Sequence, residues 1–226
     1  MASSVIPFPR SGDPVPAQIY LQPFAAPSIL GLYGFAGATF MVAAHMAHWF
    51  GGVRTGLYLA PFAAMFGGIA HFSAGMWAFK AHDGVATAMH GTWGCFWIAD
   101  GLLQLAFLNG TLTQPTGARP ALGYWFIVLA AITWMGAWAA AAESRVIAAV
   151  LVVLAAGSTD SAVSKLLGNG SGMAAGYLFI IPAVIAWYAA SALMLESAYK
   201  RPVLGLGKPN LPSKGPLSRP AQENRV

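Results

Sequence analysis

APSILGLYGFAG, residues 26–37, is the stretch where a proline-rich segment turns into an uninterrupted apolar run. Upstream, Pro7, Pro9, Pro14, Pro16, Pro23 and Pro27 recur closely enough to interrupt any helix, because proline removes a backbone donor and restricts its predecessor. Downstream, Ile29–Phe50 holds 22 residues without Asp, Glu, Lys or Arg. At 1.5 Å per residue that run crosses a hydrocarbon core of about 30 Å. Ser28 stands at the position of an N-cap, and the start of such a helix leaves N–H groups free to face an anion. Gly31, Gly34 and Gly37 recur every third residue and permit close approach by a neighbouring helix. A well-packed membrane helix with a capped end has the same features.

Composition carries the reading outward. The chain is 57% hydrophobic and 8% charged, with a mean hydropathy of +0.61. Soluble domains are about 25% charged, so the expected class is all-α, a polytopic membrane protein. The net charge of +5 does not indicate nucleic acid, because six of the twelve Lys and Arg follow Tyr199. One cysteine, Cys95, lies in an apolar segment; it excludes a disulfide framework and a Cys-based metal site, and is expected to be a small buried residue. No charged region followed by a short apolar core opens the chain, so no cleaved signal peptide is expected.

Six spans are predicted, at Ile29–Phe50, Gly56–Phe79, Gly84–Leu108, Ala121–Ala142, Val146–Leu167 and Gly172–Leu195. They divide the chain into a proline-rich cytoplasmic tail (1–28), a six-helix transmembrane domain (29–198) and a basic tail (199–226) expected to be disordered from Arg201. Six is even, so the termini share a side. With that side cytoplasmic, nine Lys and Arg fall inside and Arg54, Arg119 and Lys165 outside, as the positive-inside rule requires. The localisation expected is the inner or plasma membrane.

Chemistry concentrates in the third and fifth spans. His90, Trp93, Trp97 and Asp100 follow i, i+3, i+7, i+10 and share one helical stripe. Ionisable residues at membrane depth face protein or water, which makes His90 and Asp100 proton-coupling candidates; each is also a residue that a neighbouring helix satisfies. Leu154, Ser158, Ser161 and Lys165 form a second stripe: an apolar gate, hydroxyl donors and a cation at the mouth, as an anion path requires. A snorkelling Lys165 with Asp160 as local partner fits the same residues. Tyr124, Trp125, Trp134 and Trp138 look like bulk and interfacial anchors.

APSILGLYGF resembles the signature of the acetate uptake transporter family, the YaaH-type membrane proteins that include bacterial acetate/succinate transporters and fungal acetate/ammonia proteins. That signature reads Asn-Pro-Ala-Pro-Leu-Gly-Leu, then Gly-Phe. Pro27, Leu30, Gly31, Leu32, Gly34 and Phe35 match it, while Ala26, Ser28 and Ile29 depart from it. GGIA and AG at 67–70 and 74–75 match the family's second helix, where some members carry a Glu at the position of Ala78. WGCFW, 93–97, is similar to Tyr-Gly-x-Phe-Trp with Trp93 for the Tyr. The resemblance implies a path constricted by Phe35, Trp93 and Leu154 and a ring-like homohexamer with one path per protomer; substrate contacts are expected at Ser28, Leu30, Gly31, Ser158 and Ser161.

The function it implies is transport of acetate and related small monocarboxylates, by proton symport or as an anion channel, with no cofactor, no metal and no nucleic-acid partner. The physical need is plain: a carboxyl group of pKa about 4 is only about 0.1% protonated at neutral pH, and its anion does not cross lipid unaided. A reading from another class is a redox protein clasping haem or metal with His45, His48, His71 and His90. The absence of a Glu-x-x-His pattern weakens it.

Overall fold

The computed structural model describes residues 25–52, 54–112, 118–168 and 172–208. Among the described residues it contains six long helices: α1 (Ser28–Met46), α2 (Thr55–Lys80), α3 (Gly84–Leu108), α4 (Ala118–Ala141), α5 (Arg145–Leu167) and α6 (Gly172–Tyr199). No strand occurs among the described residues. The protein is therefore all-α, a multi-pass membrane protein. Five of the helices are apolar enough to span by composition alone. The sixth, α3, has the length but carries His90, Asp100 and Gln104.

Each helix packs on the next, and α6 returns to α1, so the six close into a ring whose sparsest seam lies between α3 and α4. The ring's interior is filled from every side. Leu32 and Phe35 on α1, Trp93 on α3, Leu129 on α4, Leu154 on α5 and Phe179 on α6 belong to one buried cluster. The opposite faces expose Tyr58, Phe62, Trp125, Trp138 and Trp187, as lipid-facing surfaces do. Cys95 is exposed, not buried, because it lies about 200° around α3 from both Trp93 and Trp97.

Helix ends follow local chemistry. Asp83 takes the Ala86 N–H at 2.8 Å and caps α3, and Ser144 takes the Ile147 N–H at 3.2 Å and caps α5. Ser28 does not cap α1. The N-cap is Pro27, and Ser28 is the first helical residue. α1 ends at Met46, short of Phe50, where His48 adopts a φ of 61°. Within α2, Pro61 removes one N–H, and the stretch after it, Ala63–Ala70 with Gly67-Gly68 inside it, winds as a π-helix. At its end the His71 N–H reaches back to the Phe66 carbonyl, so the wider winding sets where His71 emerges.

The tail expected to be disordered from Arg201 is placed through Lys208. Arg145 and Val146 donate their N–H groups to the carbonyls of Gly207 and Leu206, at 3.2 and 3.3 Å. The Ser144 hydroxyl donates to the Leu206 carbonyl at 2.7 Å, and the Tyr188 hydroxyl to that of Gly205 at 2.9 Å. Backbone carbonyls anchor this strap and Leu206 is buried in the central cluster, a contact that the tail's composition does not announce. The remainder of the 199–226 tail and most of the 1–28 tail lie outside the described residues.

Candidate functional site

Two cavities enter the ring from opposite ends and meet at Trp93, which lines both. The inner cavity, at the end where Ser28, Glu143 and Lys208 lie, has a volume of about 260 Å³. That is below the roughly 300–1,000 Å³ of pockets for drug-sized ligands, and suits a small substrate. The outer cavity is about 510 Å³ and is lined by Asp100, Gln104, Arg119, Ser161 and Lys165.

Phe35, Trp93 and Leu154 form the deep wall of the inner cavity, and all three are buried. The Phe35 and Trp93 rings meet edge-on at 6.5 Å between centroids. Trp93 is held from behind: its indole N–H donates to Thr133 Oγ1 at 3.0 Å, and that hydroxyl donates to the Leu129 carbonyl. Thr133 was invisible in sequence because α4 reads as bulk and anchors.

Below the wall stand two histidines. His90, on α3, places Nε2 3.2 Å from Ser28 Oγ. His71, on α2, lies with its ring centroid 4.7 Å from that of His90 and 5.8 Å from that of Phe35. Both are buried, and the Nδ1 atom of each is buried without a hydrogen-bond partner. Two glycines make room for them. A Cβ on Gly31 would stand 2.5 Å from the His90 ring, and one on Gly34 would stand 2.4 Å from the Phe66 carbonyl. Gly37 meets nothing within 4 Å.

The cavity's mouth holds Asp83, Glu143 and Lys208. Partial burial, and then the Asp83 carboxylate, hold the Glu143 carboxyl above its usual range. Lys208 reaches Glu196 at 3.4 Å. Ala26 and Ser28 line the cavity as well, but the start of α1 is less open to an anion than an isolated helix end. Its Ile29 and Gly31 N–H groups already bond the carbonyls of Ala26 and Pro27.

The outer cavity is floored by aromatic rings: Phe96 meets Trp93 and Phe126 at 5.5 Å each, and Lys165 Nζ sits 5.6 Å over Phe126. Thr39 Oγ1, Trp97 Nε1 and Ser161 Oγ are buried there without partners. Thus the His90–Trp93–Trp97–Asp100 stripe runs along both cavities, and Ser161 and Lys165 join it. Leu30 and Ser158 do not. Leu30 is 51% exposed, and Ser158 lines neither cavity because its hydroxyl donates to the Leu154 carbonyl at 2.9 Å. Asp160 is no partner to Lys165; its Oδ2 is buried without a hydrogen bond.

The four-histidine clasp is overturned by position. Ser28, bonded to His90, opens α1, whereas His45 lies in its last turn, about 25 Å away along the axis. His45 turns its Nδ1 to the Phe50 carbonyl, and His48 is in the following turn. Among the described residues no three His, Cys, Asp or Glu side chains converge on a metal position.

The sequence pattern of the GPR1/FUN34/yaaH family matches residues 8–204. Among solved structures, that of the bacterial acetate channel SatP is 24% identical, covers 82% of this chain and 100% of its own, and superposes with a TM-score of 0.73. No curated protein matches the chain.

Proposed function

The chain belongs to the GPR1/FUN34/yaaH family, and from that premise we propose that it carries acetate and related small monocarboxylates across the membrane, along the two cavities and through the wall between them. The observation that supports this most is the arrangement at Trp93. Two cavities reach the same side chain from opposite ends, and Phe35 and Leu154 line the inner one beside it. An apolar wall between two polar-lined chambers passes small solutes and holds back large or charged ones.

Ser28 and the histidines receive the carboxylate on the inner side, and Ser161, with Lys165 beyond it, on the outer. Asp100 faces Lys165 across the outer cavity and balances its charge. The inner end is cytoplasmic on the positive-inside argument, in the cell's inner or plasma membrane. The protomers assemble as a ring-like hexamer, each with its own path, and native mass spectrometry in detergent would read the copy number.

Proton symport fits the site better than free anion flow, because a neutral acid meets a far lower barrier at an apolar wall than its anion does. The test is uptake of labelled acetate into liposomes with and without an inward proton gradient. Uptake above that of empty liposomes, raised by the gradient, is the expected outcome. Equal uptake under both conditions would make the protein a channel, and none above the empty vesicles would remove acetate as substrate.

A further inference from the structure

Deepening that reading, and resting on it for the substrate, we propose that His71 and His90 bind one proton between them and hand it to the carboxylate beneath the Phe35–Trp93 wall. The sequence points to His90 and Asp100; the structure sets His71 beside His90. The two rings come from different helices yet lie 4.7 Å apart at a 65° angle. Each keeps one nitrogen, Nδ1, buried and without a partner, while the other nitrogen of His90 is oriented by Ser28 Oγ. A buried imidazole nitrogen normally has its hydrogen bond, so two orphans side by side at the end of a cavity are acceptors or donors kept for something absent from the resting chain.

One proton, not two, is what the pair holds. Like charges within about 4–6 Å disfavour one another's charged form, so the first proton repels the second. Among the described residues that line the inner cavity, no other ionisable side chain stands beside the pair. α1 contributes Ser28, and α5 and α6 contribute Leu151, Leu154 and Leu193. The carboxylates Asp83, at the start of α3, and Glu143, at the α4–α5 corner, stand at the mouth with Lys208 of the strap. They concentrate protons at the entrance without pairing the histidines.

The transfer balances. An imidazole nitrogen takes a proton from water in the inner cavity and gains a positive charge. A carboxylate is drawn to it. The N–H bond breaks as the carboxyl O–H forms, and the pair returns to neutral. The neutral acid then crosses the wall, and in the outer cavity it yields the proton to water beside Lys165. Uptake under an inward proton gradient runs the same steps in reverse, the acid forming in the outer cavity and giving its proton to the histidine pair. Imidazole is the side chain whose unperturbed proton affinity lies near neutrality.

Imidazole 15N shifts of the full chain in nanodiscs, followed from pH 5 to 8 with and without acetate, test the pair directly. The expected result is one proton taken up by the two rings together, with its midpoint moved upward by acetate. Two complete and independent titrations, or no titration in that range, would overturn the proposal. Liposome uptake gives the second arm. His71→Gln and His90→Gln should each abolish acid stimulation, and the double variant should be no worse than either single one. Losses that multiply, or a retained pH profile in either single variant, would overturn it even if the variants fold poorly, since the profile is read relative to each variant's own maximum. If the wild type takes up no acetate while the shifts show one shared proton that acetate does not move, the transport reading has failed and the shared proton stands. Separate titrations in a chain that does transport acetate would fail the pair alone.

Discussion

The inner and outer cavities meet at one tryptophan and are built from different chemistry. The inner one reaches the wall with two buried imidazoles, His71 and His90, on otherwise apolar walls. The outer one is lined by Arg119 and Lys165 against Asp100, and leaves Thr39 Oγ1, Trp97 Nε1 and Ser161 Oγ unpaired among them. A fixed cation concentrates anions whatever the pH, whereas an imidazole does so only when protonated. On the proposed reading, this difference makes a path selective at one end and gated by protons at the other.

Removing the boundary tests the comparison hardest. Leu154→Ala deletes a fully buried side chain at the wall, a change that typically costs about 2–5 kcal/mol of stability. It should join the cavities and raise lactate uptake relative to acetate about tenfold, a difference of ~1.4 kcal/mol. An unchanged substrate range would show that Leu154 does not bound the path. Next comes Gly34→Ala, whose new methyl meets the Phe66 carbonyl, a backbone atom that cannot turn away. Overpacking of this kind costs about 1–3 kcal/mol, so the melting temperature in detergent should fall and acid stimulation should fade as His71 shifts. The outer cavity's substrate-range effects should stay as they are.

Lys165→Gln probes the outer side alone. Uptake should drop about tenfold at low salt, near the ~1.5 kcal/mol low end for a charged hydrogen-bond partner, and the pH profile should keep its shape. A flattened profile would mean that the two cavities do not divide the work. The smallest effect belongs to Ala26→Asn at the inner mouth. Ala26 lines the cavity, so an added amide should tighten acetate binding about fivefold, ~1 kcal/mol for one hydrogen bond. Calorimetric titration that shows no gain would make this departure from the family signature neutral.

Much of the fold was legible because membrane spans are long and few. All six helices appear where apolar runs predicted them, with ends displaced by a few residues. The displaced ends have local reasons, such as the left-handed His48 that stops α1. The α3 stripe was legible too, since helical spacing alone puts His90, Trp93, Trp97 and Asp100 on one side. His71 was not, because its direction depends on the π-helical winding between Pro61 and Ala70, which shifts the register that a 3.6-residue period assumes. Ser158 misled for the opposite reason. It lies on the correct face, but its hydroxyl is spent on the turn before it. Thr133 sits behind Trp93 on a different helix, and no periodicity within one segment points across the ring.

The strap over the inner mouth bears on how the protein is made. Leu206 follows all six helices in the order of synthesis, yet it is buried in the central cluster and lines the inner cavity. The α4–α5 corner therefore emerges and folds with the Arg145 and Val146 N–H groups still unmatched by Leu206 and Gly207. Translation must pass α6 before those acceptors exist, because domains acquire structure from the N-terminal side as the ribosome delivers them. Until then the vestibule is roofless. A ribosome stalled, or a reading frame cut, anywhere between Tyr199 and Leu206 would release a chain with every membrane span in place and its inner chamber open.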